Sequence, residues 1–216
     1  MKNYENIERI SVQSIPLGSG SDQVILGTPN GDIECIYHSV GEPRGVIWVS
    51  GARGGFDGPS SGVYSKVSRE LVSKGMNSLR LNYRFPGELD HCITDVLIAI
   101  RFLDCLGIDR IALVGHSFGG AVVIMAGIMT TQVKAVVALS SQTLGAQRVN
   151  ELSPTPLLLV HGDNDRILPS SCSKQIYRWA GEPKELVIYR GSGHLLEECK
   201  EELHDLLKNW LVGKLD

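Results

Sequence analysis

Short apolar segments rich in β-branched residues alternate along the chain with longer segments whose apolar residues recur every three or four positions. The first pattern is typical of buried strands and the second of amphipathic helices. Strands are expected at residues 46–49, 78–81, 111–114, 135–139, 157–160 and 186–189. Helices are expected at about residues 62–74, 89–106 and 195–211, with another beginning directly after Gly115. This alternation predicts an α/β fold with a mostly parallel central sheet and helices on both faces.

The N-terminal part departs from this alternation. Residues 23–26 and 33–38 flank a segment in which Asn30-Gly31 is a strong hairpin turn signal. We therefore expect an antiparallel edge here, with residues 1–22 as an N-terminal extension or edge segment. Residues 140–156, between two expected strands, leave room for one short helix and none for an inserted cap. The whole chain, residues 1–216, is expected to form a single domain without a cap domain.

The composition is that of an ordinary globular protein. Hydrophobic residues make up 43% of the 216 residues and charged residues 21%, and the net charge is −3. No basic run is long enough to indicate a nucleic-acid surface. The longest apolar run, residues 121–129, is far too short to cross a bilayer, and Glu5 and Glu8 argue against a signal peptide. Neither nucleic acid nor a membrane is expected as a partner.

The five cysteines favour a reducing compartment. Their number is odd, their spacings are long and no Cys-x-x-Cys pair occurs, so neither a disulfide framework nor a zinc site is expected. Reduced thiols favour a cytoplasmic location. The sequence indicates no metal or organic cofactor and does not fix an oligomeric state.

The segment Gly115-His116-Ser117-Phe118-Gly119 matches the pattern Gly-x-Ser-x-Gly, with an apolar strand before it and a helix after it. A serine on such a sharp turn projects above the sheet, and side chains two residues away on either side would collide. The helix that follows is apolar on every face, which indicates burial, and its N-terminus offers free N–H groups to a developing oxyanion. Ser117 is therefore a candidate nucleophile, and the alternative is a glycine-rich turn with a chance serine.

A serine hydroxyl needs a base, and the base needs an orienting carboxylate, in the chain order Ser, Asp or Glu, His. The loop after the fifth expected strand carries His161, Asp163 and Asp165, and the loop after the sixth ends in His194. Both loops leave carboxyl ends of strands, where open α/β sheets gather their sites. Because the last strand must supply the base, His194 is favoured over His161, which we expect to pack or hydrogen-bond locally. From the residues alone, Asp163 and Asp165 are nearly equal candidates for the acid.

Three motifs together resemble the α/β-hydrolase superfamily, most of all its small cap-free dienelactone-hydrolase-like and serine-aminopeptidase-like members. They are the Gly-x-Ser-x-Gly turn, the loop from His161 to Pro169, and Gly191-Ser192-Gly193-His194. The resemblance covers roughly residue 33 to the C-terminus. It implies that Asp165 is the acid and that Asp163 is a loop residue.

The same resemblance implies an oxyanion hole built from two backbone amides. One is the amide of Phe118, and the other follows the strand at residues 46–49 and maps to Ala52 or its neighbour Arg53. The chain departs from the family here, because Ser50-Gly51 stands where the family commonly has His-Gly.

The expected activity is hydrolysis of an ester, thioester or related acyl bond of a small soluble substrate, through an acyl-enzyme on Ser117. Acyltransferases and peptidases use the same triad, and a non-catalytic ligand-binding or scaffold protein of this fold is the alternative from another class. Arg53 and Arg84 each follow a strand at its carboxyl end, and as neighbours they could hold a substrate carboxylate. The alternative for Arg84 is an ion pair with Glu88 or Asp95. A chain without a cap is also expected to have an open, shallow site that favours short acyl groups.

Overall fold

The computed structural model describes residues 10–18 and 20–216, so the expectation about a signal peptide lies outside the described residues. Nine strands form one sheet in the order β1-β2-β3-β5-β4-β6-β7-β8-β9. The strands are β1 (Ser11–Pro16), β2 (Asp22–Thr28), β3 (Gly31–His38), β4 (Arg44–Val49), β5 (Asn77–Asn82), β6 (Arg110–His116), β7 (Val133–Leu139), β8 (Leu157–Gly162) and β9 (Lys184–Tyr189). The helices are α1 (Pro59–Val72), α2 (Leu89–Cys105), α3 (Phe118–Ile128), α4 (Ser171–Trp179) and α5 (Lys200–Leu215).

The sheet is parallel from β4 to β9. It is antiparallel at the other edge, where β1 pairs with β2, β2 with β3 and β3 with β5. This confirms the expected fold class. The strand order reverses around β4, which lies between β5 and β6. In open α/β sheets, such a reversal opens a crevice at the carboxyl ends of the strands, and ligands bind there.

The predicted hairpin joins β2 to β3, with its turn one residue earlier than the Asn-Gly signal suggested. Thr28 pairs with Gly31, so Pro29 and Asn30 are the two turn residues. The Thr28 hydroxyl donates to the Gly31 carbonyl at 2.7 Å and accepts from the Asn30 amide at 3.2 Å. Gly31 has φ of +107°, a value that favours glycine.

Helices cover both faces of the sheet. On β4, Val46 and Trp48 face α1 and α5, whereas Ile47 and Val49 face α2 and α3. All four side chains are buried, as expected for a parallel strand with helices on both sides. Between β7 and β8 the structure places only a 3₁₀ turn, Val149–Leu152, and no inserted domain. Within residues 10–18 and 20–216, no helix is long and apolar enough to cross a bilayer.

Two helices differ from the expectation. The last helix, α5, begins at Lys200 and not at Leu195, because the chain first forms a loop and the 3₁₀ turn Glu197–Cys199. Helix α4 was not predicted. Its segment is mostly polar and buries only Ser173 and Ile176, so its apolar pattern is short.

Candidate active site

Ser117 lies on the sharp turn between β6 and α3, with φ of +58° and ψ of −119°. Two neighbouring glycines make this turn sterically feasible. A Cβ on Gly115 would overlap the carbonyl group of Gly119, and a Cβ on Gly119 would overlap the carbonyl oxygen of Ser50. The predicted requirement for glycine two residues before and after the serine is thus confirmed. Helix α3 is buried along most of its length, so the turn rests on the core.

Three loops bring Ser117, His194 and Asp165 together at the carboxyl ends of β6, β8 and β9. The Ser117 hydroxyl donates to His194 Nε2 at 3.0 Å. His194 Nδ1–H donates to Asp165 Oδ2 at 2.7 Å. The Asp165 side chain is fully buried and that of His194 is 10% exposed. This arrangement leaves the Nε2 lone pair directed at the serine, as a general base requires.

Asp165 is surrounded by hydrogen-bond donors. Its Oδ1 accepts from the amides of Ile167 at 2.8 Å and Leu168 at 2.9 Å, while Oδ2 accepts from both His194 and His161. Burial alone would raise the pKa of Asp165, but hydrogen bonds from His194 and from the two amides outweigh it and lower that pKa. The carboxylate is therefore ionised at neutral pH.

Asp163, the rival acid, has a different role. Its Oδ1 accepts the amide N–H of Gly191 at 2.6 Å, which ties the loop after β8 to the loop after β9. The structure thus brings Asp165 to His194 and uses Asp163 to join two loops.

A second histidine, His161, supports the carboxylate from behind. Its Nε2–H lies 3.1 Å from Asp165 Oδ2 and 2.9 Å from the Leu168 carbonyl, and its Nδ1 accepts the Ser173 hydroxyl at 2.7 Å. Burial lowers the pKa of His161, so the ring is neutral with its proton on Nε2. The expectation that His161 hydrogen-bonds locally is thus confirmed, whereas its contact with Ser173 was missed because α4, which carries Ser173, was not predicted.

A third histidine, His116, supports the loop of the base. Its Nε2–H donates to the His194 carbonyl oxygen at 3.0 Å, and the two rings lie 4.9 Å apart between centroids. Burial lowers the pKa of His116 to about 4, so the ring is neutral at pH 7. His116 is the residue directly before Ser117, and it therefore links the serine turn to the loop that carries His194.

The loop after β4 passes directly over the serine turn. A Cβ on Gly51 would lie 3.5 Å from Ser117 Cβ. Among the described residues, the amides of Ala52 and Arg53 donate to no other group, and Phe118 opens α3, where amides lack intrahelical acceptors. These amides are therefore free to bind an oxyanion beside Ser117, although His-Gly is replaced by Ser50-Gly51.

Residues 91–211 match the model of a family described as phospholipase/carboxylesterase, which is more than half of the chain. The chain belongs to the phospholipase/carboxylesterase family. The matched range includes the serine turn, Asp163, Asp165 and His194. A curated relative, the uncharacterized protein YfhR of Escherichia coli K12, is 28% identical over 110 residues, which are 40% of this chain and 39% of that protein. The match thus spans about two fifths of the length of this relative.

Solved structures of hydrolase and esterase type align with nearly the whole chain of this member of the phospholipase/carboxylesterase family. A dienelactone hydrolase from Anabaena variabilis has a TM-score of 0.74 at 17% identity, covering 96% of this chain and 99% of its own. The esterase domain of a Rhodothermus marinus protein has a TM-score of 0.69 at 18% identity, and the alignment covers 96% of this chain and 100% of that domain. Est1E from Butyrivibrio proteoclasticus with bound ferulic acid has a TM-score of 0.71 at 17% identity, and the alignment covers 94% of this chain and 98% of Est1E. These likenesses show the fold, and the family match confirms the resemblance to the α/β-hydrolase superfamily.

The two arginines of this family member are placed differently. Strands β4 and β5 are neighbours, as the anion hypothesis needs. However, Arg84 is buried in an ion pair with Asp95, where its Nε lies 2.6 Å from Oδ1, and its Nη1 donates to Thr28. Of the two hypotheses for Arg84, the structure therefore bears out the ion pair with Asp95 and not the contact with a substrate carboxylate. Arg53 is exposed and has no ion pair within the described part of the chain.

An open cavity of about 390 Å³ adjoins His194. Its lining residues are Asn164, Arg166, Ile167, Gly193, His194, Leu195, Glu197 and Glu198. Ile167 is 71% exposed and Leu195 is 51% exposed, so the apolar part of this wall lies at the surface. A site bordered in this way has solvent on one side.

Proposed function

We propose that the protein is a serine hydrolase of the carboxylesterase type, with Ser117 as nucleophile, His194 as general base and acid, and Asp165 as the carboxylate that orients the imidazole. The observation that carries this proposal is the continuous hydrogen-bonded series from the Ser117 hydroxyl through His194 to a buried, ionised Asp165. The family match and the fold of its structural neighbours support the same class of reaction.

The chemistry runs in two halves. Ser117 Oγ attacks the acyl carbonyl while its proton passes to His194 Nε2, and the amides of Phe118 and Ala52 stabilise the oxyanion that forms. The intermediate collapses, His194 gives that proton to the departing alcohol or thiol, and an acyl-enzyme remains. Water then attacks the acyl-enzyme with His194 as base, which releases the acid and restores the serine.

The substrate class that we propose is a small soluble acyl compound. The similar structures include a dienelactone hydrolase and Est1E with bound ferulic acid, and both a dienelactone and ferulic acid are small molecules. Arg53 adds a further element to the proposal. Arg53 is an exposed cation in the loop that carries the free amides of Ala52 and Arg53, and its guanidinium can hold a carboxylate at the end of the substrate. A cytoplasmic location, which the five free cysteines favour, belongs to the same proposal.

The decisive experiment replaces Ser117 by alanine. We expect Ser117→Ala to lose activity on p-nitrophenyl acetate on the order of 10⁴-fold or more, and to lose labelling by a fluorophosphonate probe, because the three residues act as a unit. Ser73→Ala is the matched control, since Ser73 lies at the C-terminal end of α1, where its hydroxyl donates to the Glu70 carbonyl. Failure of the wild-type protein to react with the probe would favour a non-catalytic binding protein.

The Arg53 proposal is tested with neutral and carboxylate-bearing esters of equal size. Arg53→Ala should lose the preference for the anionic ester while keeping its rate on the neutral one. Arg101→Ala serves as a control, because Arg101 is another exposed cation, on α2, where it pairs with Asp104. Equal losses of Arg53→Ala on both esters would remove Arg53 from the substrate site. Product analysis with added alcohol or amine acceptors separates a hydrolase from an acyltransferase, and amide substrates separate an esterase from a peptidase.

A further inference from the structure

The start of α1 has a backbone that side chains rarely adopt. Ser60 and Ser61 have φ of +53° and +50°, and Gly62 has φ of +86°. Outside a glycine, each such residue costs free energy and persists only where surrounding contacts hold it. Two consecutive serines in this region therefore need strong local partners.

Those partners lie on the loop that carries His194. The Ser60 amide donates to the Leu195 carbonyl at 2.9 Å, and the Ser60 hydroxyl lies 2.7 Å from the Leu196 carbonyl. The Ser61 amide and hydroxyl donate to the two carboxylate oxygens of Glu197, at 2.7 and 2.8 Å. The left-handed turn thus bonds each of the three residues that follow His194.

The turn is itself anchored to the sheet. Arg80, on β5, has a buried side chain whose Nη1 donates to Asp57 at 2.9 Å. Asp57 in turn accepts the Tyr64 amide through its carbonyl, and the Tyr64 hydroxyl donates to the Val49 carbonyl at the end of β4. Contacts from two central strands therefore fix the position of Ser60 and Ser61.

The loop that carries the base is rich in glycine. Gly191, Ser192 and Gly193 precede His194, and glycine allows many backbone conformations. The residue after Leu195, Leu196, also has a positive φ of +55°. The Leu196 amide donates to the Gly193 carbonyl at 3.1 Å, the Gly193 amide donates to Glu198 at 2.9 Å, and the Leu196 side chain is buried in the core. The hydrogen bonds that join the residues directly after His194 to α1 come from Ser60 and Ser61.

We propose that Ser60, Ser61 and Glu197 form a clasp that positions His194 for proton transfer, so that these three act as positioning residues for the reaction. The inference rests on the proposed function, because it concerns the base of that same site. The strained turn is retained because its amides and hydroxyls point outward to the His194 loop, which an ordinary helix start would not allow. Loss of the clasp leaves the Ser117–Asp165 framework intact and lets the imidazole drift.

The test separates positioning from stability at Ser61. Ser61→Gly removes the hydroxyl donor but suits the positive φ, so its Tm should equal or exceed that of the wild type. Its kcat should nevertheless fall by about tenfold with KM within about twofold, since small displacements of a catalytic group are costly. The second-order rate of fluorophosphonate labelling should fall by a similar factor, because it reports the same proton transfer. Rates are normalised to titrated active sites.

Further variants complete the test. Ser61→Asn should keep most of the activity, because asparagine tolerates positive φ and its amide can donate to Glu197. Glu197→Ala, which removes both acceptor oxygens, should lose kcat as Ser61→Gly does, and the double variant should lose little more than either single one, because both remove the same contact. Ser73→Ala, which removes a serine hydroxyl at the other end of α1, should match the wild type throughout.

The outcomes are distinguishable. Wild-type kcat and labelling rate in Ser61→Gly and Glu197→Ala, with Ser117→Ala inactive, would overturn the clasp while leaving the proposed function in place. A loss of activity that follows Tm from variant to variant would make these residues structural and would equally overturn it. Retained activity in Ser117→Ala would instead overturn the proposed function itself.

Discussion

At the scale of single residues, the candidate site depends on which of two aspartates meets His194. Asp165 contacts His194 directly, whereas Asp163 bonds the Gly191 amide. We expect Asp165→Asn to lower kcat on the order of 10³- to 10⁴-fold, because an amide at this position favours the wrong imidazole tautomer. Asp163→Asn should stay within about tenfold of wild type, since its amide oxygen can still accept from Gly191. Steady-state kinetics of the two variants decide the matter, and a reversed ranking would assign the acid to Asp163.

Buried His116 makes the free energy of unfolding of the protein depend on pH. Burial lowers its pKa from 6.5 in the unfolded chain to about 4, so the unfolded state binds the proton more readily below pH 6.5. Stability therefore rises with pH across the window from about 4 to 6.5 and is lost as pH falls through it. Between pH 7 and pH 5 this residue alone should contribute about 2 kcal/mol to that loss.

The contribution of His116 is measured by replacing it. Urea unfolding of wild type at pH 7 and pH 5 should show the loss, and His116→Gln should show a difference smaller by about 2 kcal/mol. His91→Gln, at a half-exposed position on α2, serves as the control. An unchanged pH dependence in His116→Gln would show that the buried ring is not the group that takes up the proton.

At the scale of elements, the 51–55 loop is held by one amide side chain. Asn82, at the end of β5, accepts the Gly55 amide at 2.8 Å through Oδ1, and a Cβ on Gly54 would lie 2.5 Å from that same oxygen. Gly54 and Gly55 both have positive φ, but space around Gly55 is open. The two positions therefore share a backbone cost and differ in the collision with Asn82.

This difference makes a matched pair of variants. Gly54→Ala should displace Asn82 and the loop, and should lower kcat by about tenfold more than Gly55→Ala, because the amide of Ala52, a proposed oxyanion donor, lies in this loop. The measurement is kcat on p-nitrophenyl acetate, with Tm recorded for both proteins. Equal effects on kcat would mean that the contact with Asn82 does not position the amides.

Elements also show where reading the sequence succeeded and where it could not. The strands and the serine turn have strong local signals, namely apolar β-branched runs and glycines at fixed offsets, and the structure has them where they were expected. Helix α4 and the left-handed turn at Ser60 and Ser61 have no such signal, because both are held by distant partners. The sequence did indicate an ion pair of Arg84 with Glu88 or Asp95 as an alternative, but the burial of the pair with Asp95 depends on how α2 packs against β5.

At the scale of the whole molecule, the segment between β7 and β8 holds only the 3₁₀ turn Val149–Leu152 and no inserted domain. Large apolar side chains stand exposed on the loops after β7, β8 and β9: Leu144 at 70%, Ile167 at 71% and Leu195 at 51%. A covered groove would bury such side chains together with the acyl chain. Here a long acyl chain finds apolar contact on one side and water on the other.

We therefore expect p-nitrophenyl esters to improve as substrates only up to short acyl chains. Burial of each CH₂ group contributes about 0.8 kcal/mol when it is complete, which is about fourfold in kcat/KM per group. With one open side, that gain should stop at about four carbons and the later steps should be flat. The series from acetate to dodecanoate, measured below the aggregation limit of each ester, gives this slope. A fourfold gain per CH₂ that continues to ten carbons would show that Leu144, Ile167 and Leu195 close over the chain, and Ile167→Ala should then reduce only the long-chain rates.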